Sequence, residues 1–264
     1  MKKLNIIKIG GNIIDDDDAL IAVIEKLSEL NEHFVLVHGG GKCASALSSK
    51  LGIEPKLING RRVTDTNTLE VVTMVYAGLI NKKIVALLQA KQCNAIGLTG
   101  VDANLMRATK RIKTNIDYGF AGDVDPSNVN IELLNNLIKS GLIPVIAPIT
   151  HDGNGQLLNT NADCIASVLA IALSRLYKVK LIYCFEHNGV LKHTDDINSV
   201  FPYINKQSYL QLKKDSVIGG GMIPKLDHAF DAIENGVNSV VIGDALQLIK
   251  LVNKQKNEGT HIIA

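Results

Sequence analysis

The chain contains 264 residues, of which 46% are hydrophobic and 4% aromatic, and its net charge is +2. That length allows one large α/β domain or two lobes sharing a sheet, and the aliphatic composition is typical of a mainly parallel sheet covered by helices. The balanced charge lacks the basic stripe of nucleic-acid-binding proteins, so we expect no nucleic-acid partner.

The cysteines and the N-terminal sequence indicate a cytoplasmic protein. The four cysteines lie far apart and form no C-x-x-C pair, which is typical of reduced thiols. Asn5 and Lys8 interrupt the first apolar run, which is therefore too short for a signal peptide. No apolar run reaches the length of a membrane span, and we expect no membrane partner.

The first predicted strand, Leu4 to Ile9, carries Lys8 near its carboxyl end and runs into Gly10 and Gly11. Ligands bind at that end of the strands in open α/β sheets. We therefore favour a ligand contact for Lys8 over a lysine that reaches solvent at a sheet edge. The acidic run Asp15 to Asp18 precedes a helical apolar pattern, which favours a helix cap over a metal site.

A second predicted strand, Phe34 to His38, is followed by three glycines and a helix. Such glycines let backbone N–H groups approach an anion closely, although alone they indicate only a tight turn. Their spacing matches neither the P-loop nor the dinucleotide-binding fingerprint. Further on, Arg61 and Arg62 precede a helix predicted from Thr66 to about Gln89, and arginine suits the capture of a carboxylate.

Strand and helix patterns alternate along the rest of the chain. The predicted elements are a strand over Ala95–Leu98, a hairpin over Met106–Gly122, a helix over Pro126–Ser140, and strands over Ile143–Ala147, Leu181–Phe185 and Ser239–Ile242, then a helix over Ala245–Lys254 and an edge strand over Thr260–Ile263. No flexible linker interrupts them, so we place a lobe boundary near Tyr177 and expect both lobes to share one sheet.

Three polar residues, Asn159, Asn161 and Asp163, stand directly before an apolar run from Cys164 to Leu173. A helix this apolar is buried, so its N-terminus is buried too, and each unpaired polar group there costs about 1–3 kcal/mol. An ordinary N-cap needs only one such residue. We therefore favour a ligand site at this helix start over capping alone.

The last glycine run, Gly219 to Gly221, leads into a helix with Pro224 and then Lys225 in its first turn. A cation there opposes the helix dipole by about 0.3–1 kcal/mol, which indicates a nearby anion unless the lysine is exposed and screened. Two lysines with Asp163 between them match phosphoryl transfer, in which the protein positions the reactants and neutralises charge.

These motifs resemble the amino-acid kinases over almost the whole chain. The resemblance rests on five runs, Ile7–Gly11, Val37–Gly41, Gly60–Thr64, Leu158–Asp163 and Gly221–Lys225. It implies a three-layer αβα sandwich around a mainly parallel sheet, with an acyl-amino-acid-binding lobe in residues 1–177 and a nucleotide-binding lobe in residues 178–264. The Arg-Val-Thr and Asn-x-Asn-Ala-Asp runs imply ATP-dependent phosphorylation of the γ-carboxylate of an N-acyl-L-glutamate, above all N-acetyl-L-glutamate, in arginine biosynthesis.

The resemblance also implies roles for individual residues. Lys8 and Lys225 would stabilise the transferring phosphoryl group, and Asp163 would organise both lysines. The acylglutamate would contact Gly40, Gly41, Asn159 and, through its α-carboxylate, Arg62. ATP, with Mg²⁺ bound through the nucleotide, would contact Gly10, Gly11, Glu186, Gly189 and Gly219. No residue is expected to hold a metal ion by itself.

The chain departs from the family pattern in the nucleotide-binding lobe. Glu186 stands where an aspartate is usual, and Gly219-Gly220 replaces a more polar pair. Because only a few residues precede the first strand, the resemblance implies a homodimer that arginine does not inhibit.

Two alternatives remain open, an N-succinylglutamate kinase and a catalytically silent amino-acid-sensing module. A sensor has no need of Lys8, Asp163 and Lys225 together, which argues against the module.

Overall fold

The computed structural model describes residues 1–58, 60–112, 116–193, 195–253 and 258–263. Its strands are β1 (Lys3–Ile9), β2 (Phe34–His38), β3 (Leu57–Ile58), β4 (Arg61–Arg62), β5 (Ala95–Leu98), β6 (Met106–Lys110), β7 (Ala121–Val129), β8 (Ile143–Ile146), β9 (Ile149–His151), β10 (Leu157–Thr160), β11 (Lys178–Phe185), β12 (Tyr203–Ile204), β13 (Ser239–Asp244) and β14 (Thr260–Ile262).

The α-helices are α1 (Gly11–Asp15), α2 (Asp17–Ser28), α3 (Gly41–Lys50), α4 (Thr66–Thr73), α5 (Asn81–Ala90), α6 (Ile131–Lys139), α7 (Ala162–Leu173), α8 (Lys206–Lys214), α9 (Met222–Glu234) and α10 (Leu248–Val252). A π-helical segment, Met74–Ile80, joins α4 to α5. The acidic run acts as predicted, because the Asp16 side chain caps α2 by accepting hydrogen bonds from two backbone N–H groups.

Eight strands form the central sheet, in the order β12, β14, β13, β11, β1, β2, β8 and β5. Every neighbouring pair in it is parallel except β13 and β14. Buried side chains form one core cluster on each face of this sheet. The predicted α/β sandwich around a mainly parallel sheet is thereby confirmed.

The alternation of side chains along β1 explains how the sheet positions Lys8. Leu4 and Ile6 pack into the cluster that contains α7 and α9, whereas Ile7 and Ile9 pack into the cluster on the other face. Lys8 follows Leu4 and Ile6 on the α7 side and is itself buried. The strand therefore directs Lys8 toward the first turn of α7.

Four other strands, β10, β7, β6 and β9, close into a small barrel that the sequence does not predict. β9 has three residues and β10 has four, which is too short for a clear alternating pattern. The predicted hairpin over Met106–Gly122 corresponds to β6 and the start of β7, which pair antiparallel.

The helix predicted from Pro126 begins later than expected. Residues up to Val129 belong to β7, and α6 starts at Ile131. The reason is the Asn130 side chain, which accepts a hydrogen bond from the Leu133 N–H and so fixes the helix N-terminus at this point.

Two predictions near the C-terminus, the edge strand over Thr260–Ile263 and the end of the last helix at Lys254, are wrong, and one helix was not predicted. Strand β14 pairs with β13 on one side and β12 on the other, so β12 is the edge strand. The sequence pattern also does not predict α8, because Tyr209 alone is buried among its nine residues. The helix predicted to reach Lys254 ends at Val252, and Lys254 lies outside the described residues.

One helical run among the described residues, 66–90, is long and apolar enough to cross a membrane by length and composition alone. This corrects the expectation that no segment is long and apolar enough to span a membrane. Lys82 and Lys83 interrupt its apolar residues in the sequence, so no continuous run is visible. In the fold, 44% of its most apolar part is buried, and Leu69 and Ile84 pack into the core.

Candidate active site

A cavity of about 720 Å³ opens at the carboxyl ends of β1, β2 and β11. Helices α3, α7 and α9 begin at its wall, where their N-termini carry partial positive charge and free N–H groups. The cationic side chains in the wall are Lys8, Lys42, Arg61, Arg62, Arg111 and Lys225, and the carboxylates are Asp163 and Glu186. The cavity is therefore suited to anionic ligands.

Lys8, Asp163 and Lys225 form one ion-paired cluster in this wall. Oδ1 of Asp163 lies 2.8 Å from Nζ of Lys8, and Oδ2 lies 2.9 Å from Nζ of Lys225. The three side chains are 10%, 18% and 12% exposed, in that order. The Tyr183 ring supports the cluster, with its centroid 5.0 Å from Nζ of Lys225. The structure thus brings together three residues from β1, α7 and α9.

The electrostatics of the cluster follow from its burial and its charges. Burial raises the pKa of Asp163, but the ammonium groups of Lys8 and Lys225 outweigh this and hold the pKa well below its ordinary value. Burial lowers the pKa of Lys225, and Asp163 opposes that shift. A single carboxylate between two ammonium groups leaves an excess of positive charge, which can stabilise an anion in a water-poor cavity.

The polar residues at the start of α7 have separate contacts. The Asn161 side chain caps the helix by accepting a hydrogen bond from the Cys164 N–H at 3.0 Å. Asn159 lies in β10, and its amide donates to Oγ1 of Thr64 at 3.0 Å. Because Asn161 provides the cap, Asp163 is left to pair with the lysines.

Gly40 and Gly41 form the turn between β2 and α3. The φ of Gly40 is +148°, and a Cβ there would lie 2.3 Å from Cδ1 of Ile80, so this position requires glycine. Nη2 of Arg62 donates to the Gly41 carbonyl at 2.8 Å and to Oγ of Ser45 at 2.7 Å. These bonds hold the Arg62 guanidinium beside the glycine turn.

His38, the last residue of β2, supports this turn from within the core. Its Nδ1 donates to the Gly39 carbonyl at 2.8 Å, so its Nε2 accepts from the Asn81 amide at 3.2 Å. Burial lowers the pKa of His38 to about 4. The neutral ring therefore orients the turn and does not contribute charge to the cavity at neutral pH.

Three of the residues predicted to contact ATP line the cavity beside the carboxyl ends of β1 and β11. They are Gly10, Gly11 and Glu186, and the Asn12 side-chain amide donates a hydrogen bond to the Glu186 carboxylate. This hydrogen bond orients the side chain of Glu186, which stands where the family usually has an aspartate.

The other two, Gly189 and Gly219, lie outside the cavity wall. A Cβ on Gly189 would lie 2.6 Å from Oγ1 of Thr260, so Gly189 permits close packing against β14. Gly221 lines the wall where Gly219 was expected. The assignment of Gly189 and Gly219 to the nucleotide stays a prediction.

The wall also contains residues that the sequence patterns do not assign to the site, namely Asn12, Tyr76 and Arg111, together with Arg61, for which the sequence indicates only that arginine suits the capture of a carboxylate. Tyr76 reaches the cavity from the π-helical segment, a conformation that often occurs at functional sites but has no clear sequence signal. Arg111 lies outside every motif. Only its proximity to the cavity in the folded chain reveals it.

The sequence profile of the amino acid kinase family matches residues 3–244, which include every residue of the ion-paired cluster. The chain belongs to the amino acid kinase family. As an amino acid kinase it is a phosphotransferase, and a kinase uses ATP as its phosphoryl donor.

Relatives of this amino acid kinase include the acetylglutamate kinase of Cytophaga hutchinsonii, which is 54% identical and covers 100% of both chains. The acetylglutamate kinase of Bacteroides thetaiotaomicron is 50% identical over 99% of this chain and 98% of its own. Among solved structures, smu.665 from Streptococcus mutans is similar with a TM-score of 0.80 and 28% identity, over 92% of this chain and 96% of that one.

Proposed function

We propose that this amino acid kinase transfers the γ-phosphoryl group of ATP to the γ-carboxylate of an N-acyl-L-glutamate, with N-acetyl-L-glutamate as a substrate, in arginine biosynthesis. The observation that carries the proposal is the Lys8–Asp163–Lys225 cluster in a cavity rich in positive charge. The two relatives named acetylglutamate kinase support the choice of acceptor.

Lys8 and Lys225 would neutralise charge on the phosphoryl group during transfer, and Asp163 would hold both ammonium groups in place. Phosphoryl transfer requires mainly positioning and charge stabilisation of this kind. The attacking γ-carboxylate has an ordinary pKa of about 4.3 and is already ionised at neutral pH. The reaction therefore needs no general base, which agrees with a neutral His38 that faces the core.

The acylglutamate would occupy the end of the cavity between the glycine turn and β10. Arg62 would take the α-carboxylate, because its guanidinium is already oriented by Gly41 and Ser45. Gly40 and Gly41 would offer backbone N–H groups at the start of α3. Asn159 would contact the substrate from the opposite wall, supported by its hydrogen bond to Thr64.

The nucleotide would lie at the end bordered by Gly10, Gly11 and Glu186. Mg²⁺ bound through the nucleotide would supply charge neutralisation on its phosphates. Within the described residues, no group of three or more His, Cys, Asp or Glu side chains could hold a metal ion. Mg²⁺ typically keeps several waters and binds through substrate phosphates with few protein ligands.

Residues 1–177 would form the acylglutamate-binding lobe and residues 178–264 the nucleotide-binding lobe. This division agrees with the position of Arg62 and Asn159 before the boundary and of Glu186 and Lys225 after it. The protein would be a cytoplasmic homodimer. Size-exclusion chromatography with light scattering tests the oligomeric state, and a hexamer would contradict it.

A hydroxamate assay tests the proposed reaction directly, because hydroxylamine traps the acyl phosphate. The enzyme is supplied with MgATP and, in parallel, N-acetyl-L-glutamate, N-succinyl-L-glutamate or free L-glutamate. We expect hydroxamate from an N-acylglutamate and little from free glutamate. Absence of product with every acceptor, together with intact ligand binding, would support a sensing module instead.

A further inference from the structure

Tyr183, in the middle of the sheet, adjoins every member of the ion-paired cluster. It belongs to β11, where it pairs with Lys8 of the neighbouring strand β1. Its ring centroid lies 5.0 Å from Nζ of Lys225, and its hydroxyl donates to the backbone carbonyl of Asp163 at 3.1 Å. One side chain therefore contacts both α7 and α9 at the points where they carry cluster residues.

Tyr183 is nevertheless separate from the cavity. Its side chain is completely buried and does not belong to the cavity wall. Burial raises the pKa of Tyr183, so its hydroxyl stays protonated at neutral pH and donates to the backbone. A group in this position does not touch the substrate or exchange a proton with it. Any contribution of Tyr183 to the reaction must therefore act through Asp163 and Lys225.

Lys225 requires support from other elements because the start of α9 is weakly anchored. The three glycines before this helix, Gly219 to Gly221, have no packed neighbour within 4 Å of an added Cβ among the described residues. The N-cap, Gly221, also has no side-chain hydrogen bond to offer the helix. A lysine side chain is flexible, so the backbone alone does not fix its ammonium group. Asp163 and the Tyr183 ring supply the contacts that do.

An aromatic ring suits this position for an electrostatic reason. The face of the ring attracts an ammonium group within about 6 Å of its centroid, and more strongly where water is excluded. Lys225 is 12% exposed and shares the single carboxylate of Asp163 with Lys8. A second carboxylate would cancel the excess positive charge that can stabilise a transferring phosphoryl group. The neutral ring stabilises Lys225 and leaves that excess in place.

We propose that Tyr183 is a positioning residue for phosphoryl transfer, and that its ring holds the Lys225 ammonium group in the geometry that the transfer step requires. This inference rests on the proposed kinase function and adds a residue that the function itself does not assign. The rate of turnover should then depend on the ring, whereas the binding of either substrate should not.

The first test replaces the ring in Tyr183→Leu and measures kcat and both KM values by the hydroxamate assay. We expect kcat to fall about tenfold or more, because a small displacement of a catalytic group is costly, and both KM values to change little. The matched control is Tyr177→Leu, since Tyr177 is buried in the same core cluster and bonds Asn135 but lies outside the cavity wall. Its kcat should equal that of the wild type. An unchanged kcat in Tyr183→Leu, or an equal fall in both variants, would overturn the proposal.

The electron density of the ring distinguishes positioning from packing. Tyr183→Phe keeps the ring, and we expect its kcat to stay within about threefold of the wild type. A trifluorinated phenylalanine at this position has nearly the same shape, but fluorine withdraws electron density from the ring face. We expect its kcat to be about threefold or more below that of Tyr183→Phe. Equal values would overturn the role of the ring, and this comparison remains valid if Tyr183→Leu does not fold.

The pH profile of kcat/KM for ATP provides a second readout. Burial and the charge of Lys8 lower the pKa of Lys225, whereas Asp163 and Glu186 raise it. Loss of the ring removes a group that favours the charged form, so the pKa should fall further. We expect the alkaline limb to move to lower pH by about half a unit or more in Tyr183→Leu. A limb that stays at its wild-type position would contradict the proposal.

The wild type separates the two levels of the argument. No hydroxamate from the wild-type enzyme with any acceptor would overturn the kinase function and the role of Tyr183 with it. Product from the wild type, together with the same kcat in Tyr183→Leu, would overturn the role of Tyr183 alone.

Discussion

Nζ of Lys225 lies 2.9 Å from Oδ2 of Asp163, although 62 positions separate the two residues in the sequence. The other oxygen of the same carboxyl group contacts Lys8, in the first strand. One buried carboxylate thus joins β1, α7 and α9 at the cavity wall. Its charge has consequences for both stability and catalysis.

Removing that charge in Asp163→Asn is expected to lower the free energy of unfolding by about 3 kcal/mol, because two buried ammonium groups lose their counter-charge. Turnover should fall by about 10²–10³-fold. Urea unfolding and the hydroxamate assay measure the two effects. The control is Glu234→Gln, whose exposed ion pair with Lys206 should change stability by less than about 1 kcal/mol. Equal losses in both variants would contradict a special role for the cluster.

Stability should rise with pH between about 4 and 6.5 because of His38. Its folded-state pKa of about 4 lies below its ordinary value of 6.5, so in this window the unfolded chain binds a proton that the folded chain does not. The stabilisation from the neutral His38 ring is fully present above pH 6.5 and is lost as the pH falls through 4. The total change in the free energy of unfolding is about 3 kcal/mol. Unfolding free energies of His38→Gln should depend less steeply on pH, whereas exposed His193→Gln should behave as wild type.

Gly40→Ala should destabilise the glycine turn by about 2 kcal/mol or more, because the new Cβ would contact Ile80 and the backbone has positive φ. We also expect the KM for the acylglutamate to increase. Gly78→Ala is the matched control, since no atom lies within 4 Å of its added Cβ. Alanine there should be neutral or stabilising. Thermal unfolding distinguishes the two variants, and similar melting temperatures would contradict the steric account.

Arg62→Lys should raise the KM for the acylglutamate by about tenfold or more, because an ammonium group cannot replace the planar fork that bonds Gly41 and Ser45. The KM for ATP should change little. The Ser45→Ala variant removes only one of the two contacts and should have a smaller effect. Steady-state kinetics with each substrate varied in turn measure both KM values. A change confined to the KM for ATP would contradict the assignment of Arg62 to the acylglutamate.

The sequence predicts the regular elements near the site well, because β1, β2 and α7 have clear apolar patterns and defined caps. It also indicates Lys8, Asp163 and Lys225 as a set, through their unusual positions beside glycine turns and an apolar helix. The barrel escapes prediction because the pairings that close it, β7 with β10 and β6 with β9, join two separate hairpins, and β9 and β10 are too short to show an alternating pattern. Arg111 escapes prediction for the same reason, since only the closed barrel brings it to the cavity.

The three polar residues at the start of α7 illustrate the same limit. The sequence indicates that capping alone does not account for them, but their separate partners depend on tertiary structure. Asn161 caps the helix, Asn159 bonds Thr64 in a distant segment, and Asp163 pairs with two lysines. A local sequence pattern can show that these polar side chains need hydrogen-bond or ion-pair partners, but it cannot identify the partners.

The most direct measurement is the rate of the chemical step, followed by rapid quench with radiolabelled ATP and saturating N-acylglutamate in Lys8→Met. Lys50→Met is the control, because Lys50 is exposed on α3 and outside the cavity. We predict a fall of about 10²-fold or more in Lys8→Met and none in Lys50→Met, since Lys8 neutralises charge on the transferring group. A chemical step in Lys8→Met that is as fast as in the wild type would contradict the role of the cluster in phosphoryl transfer.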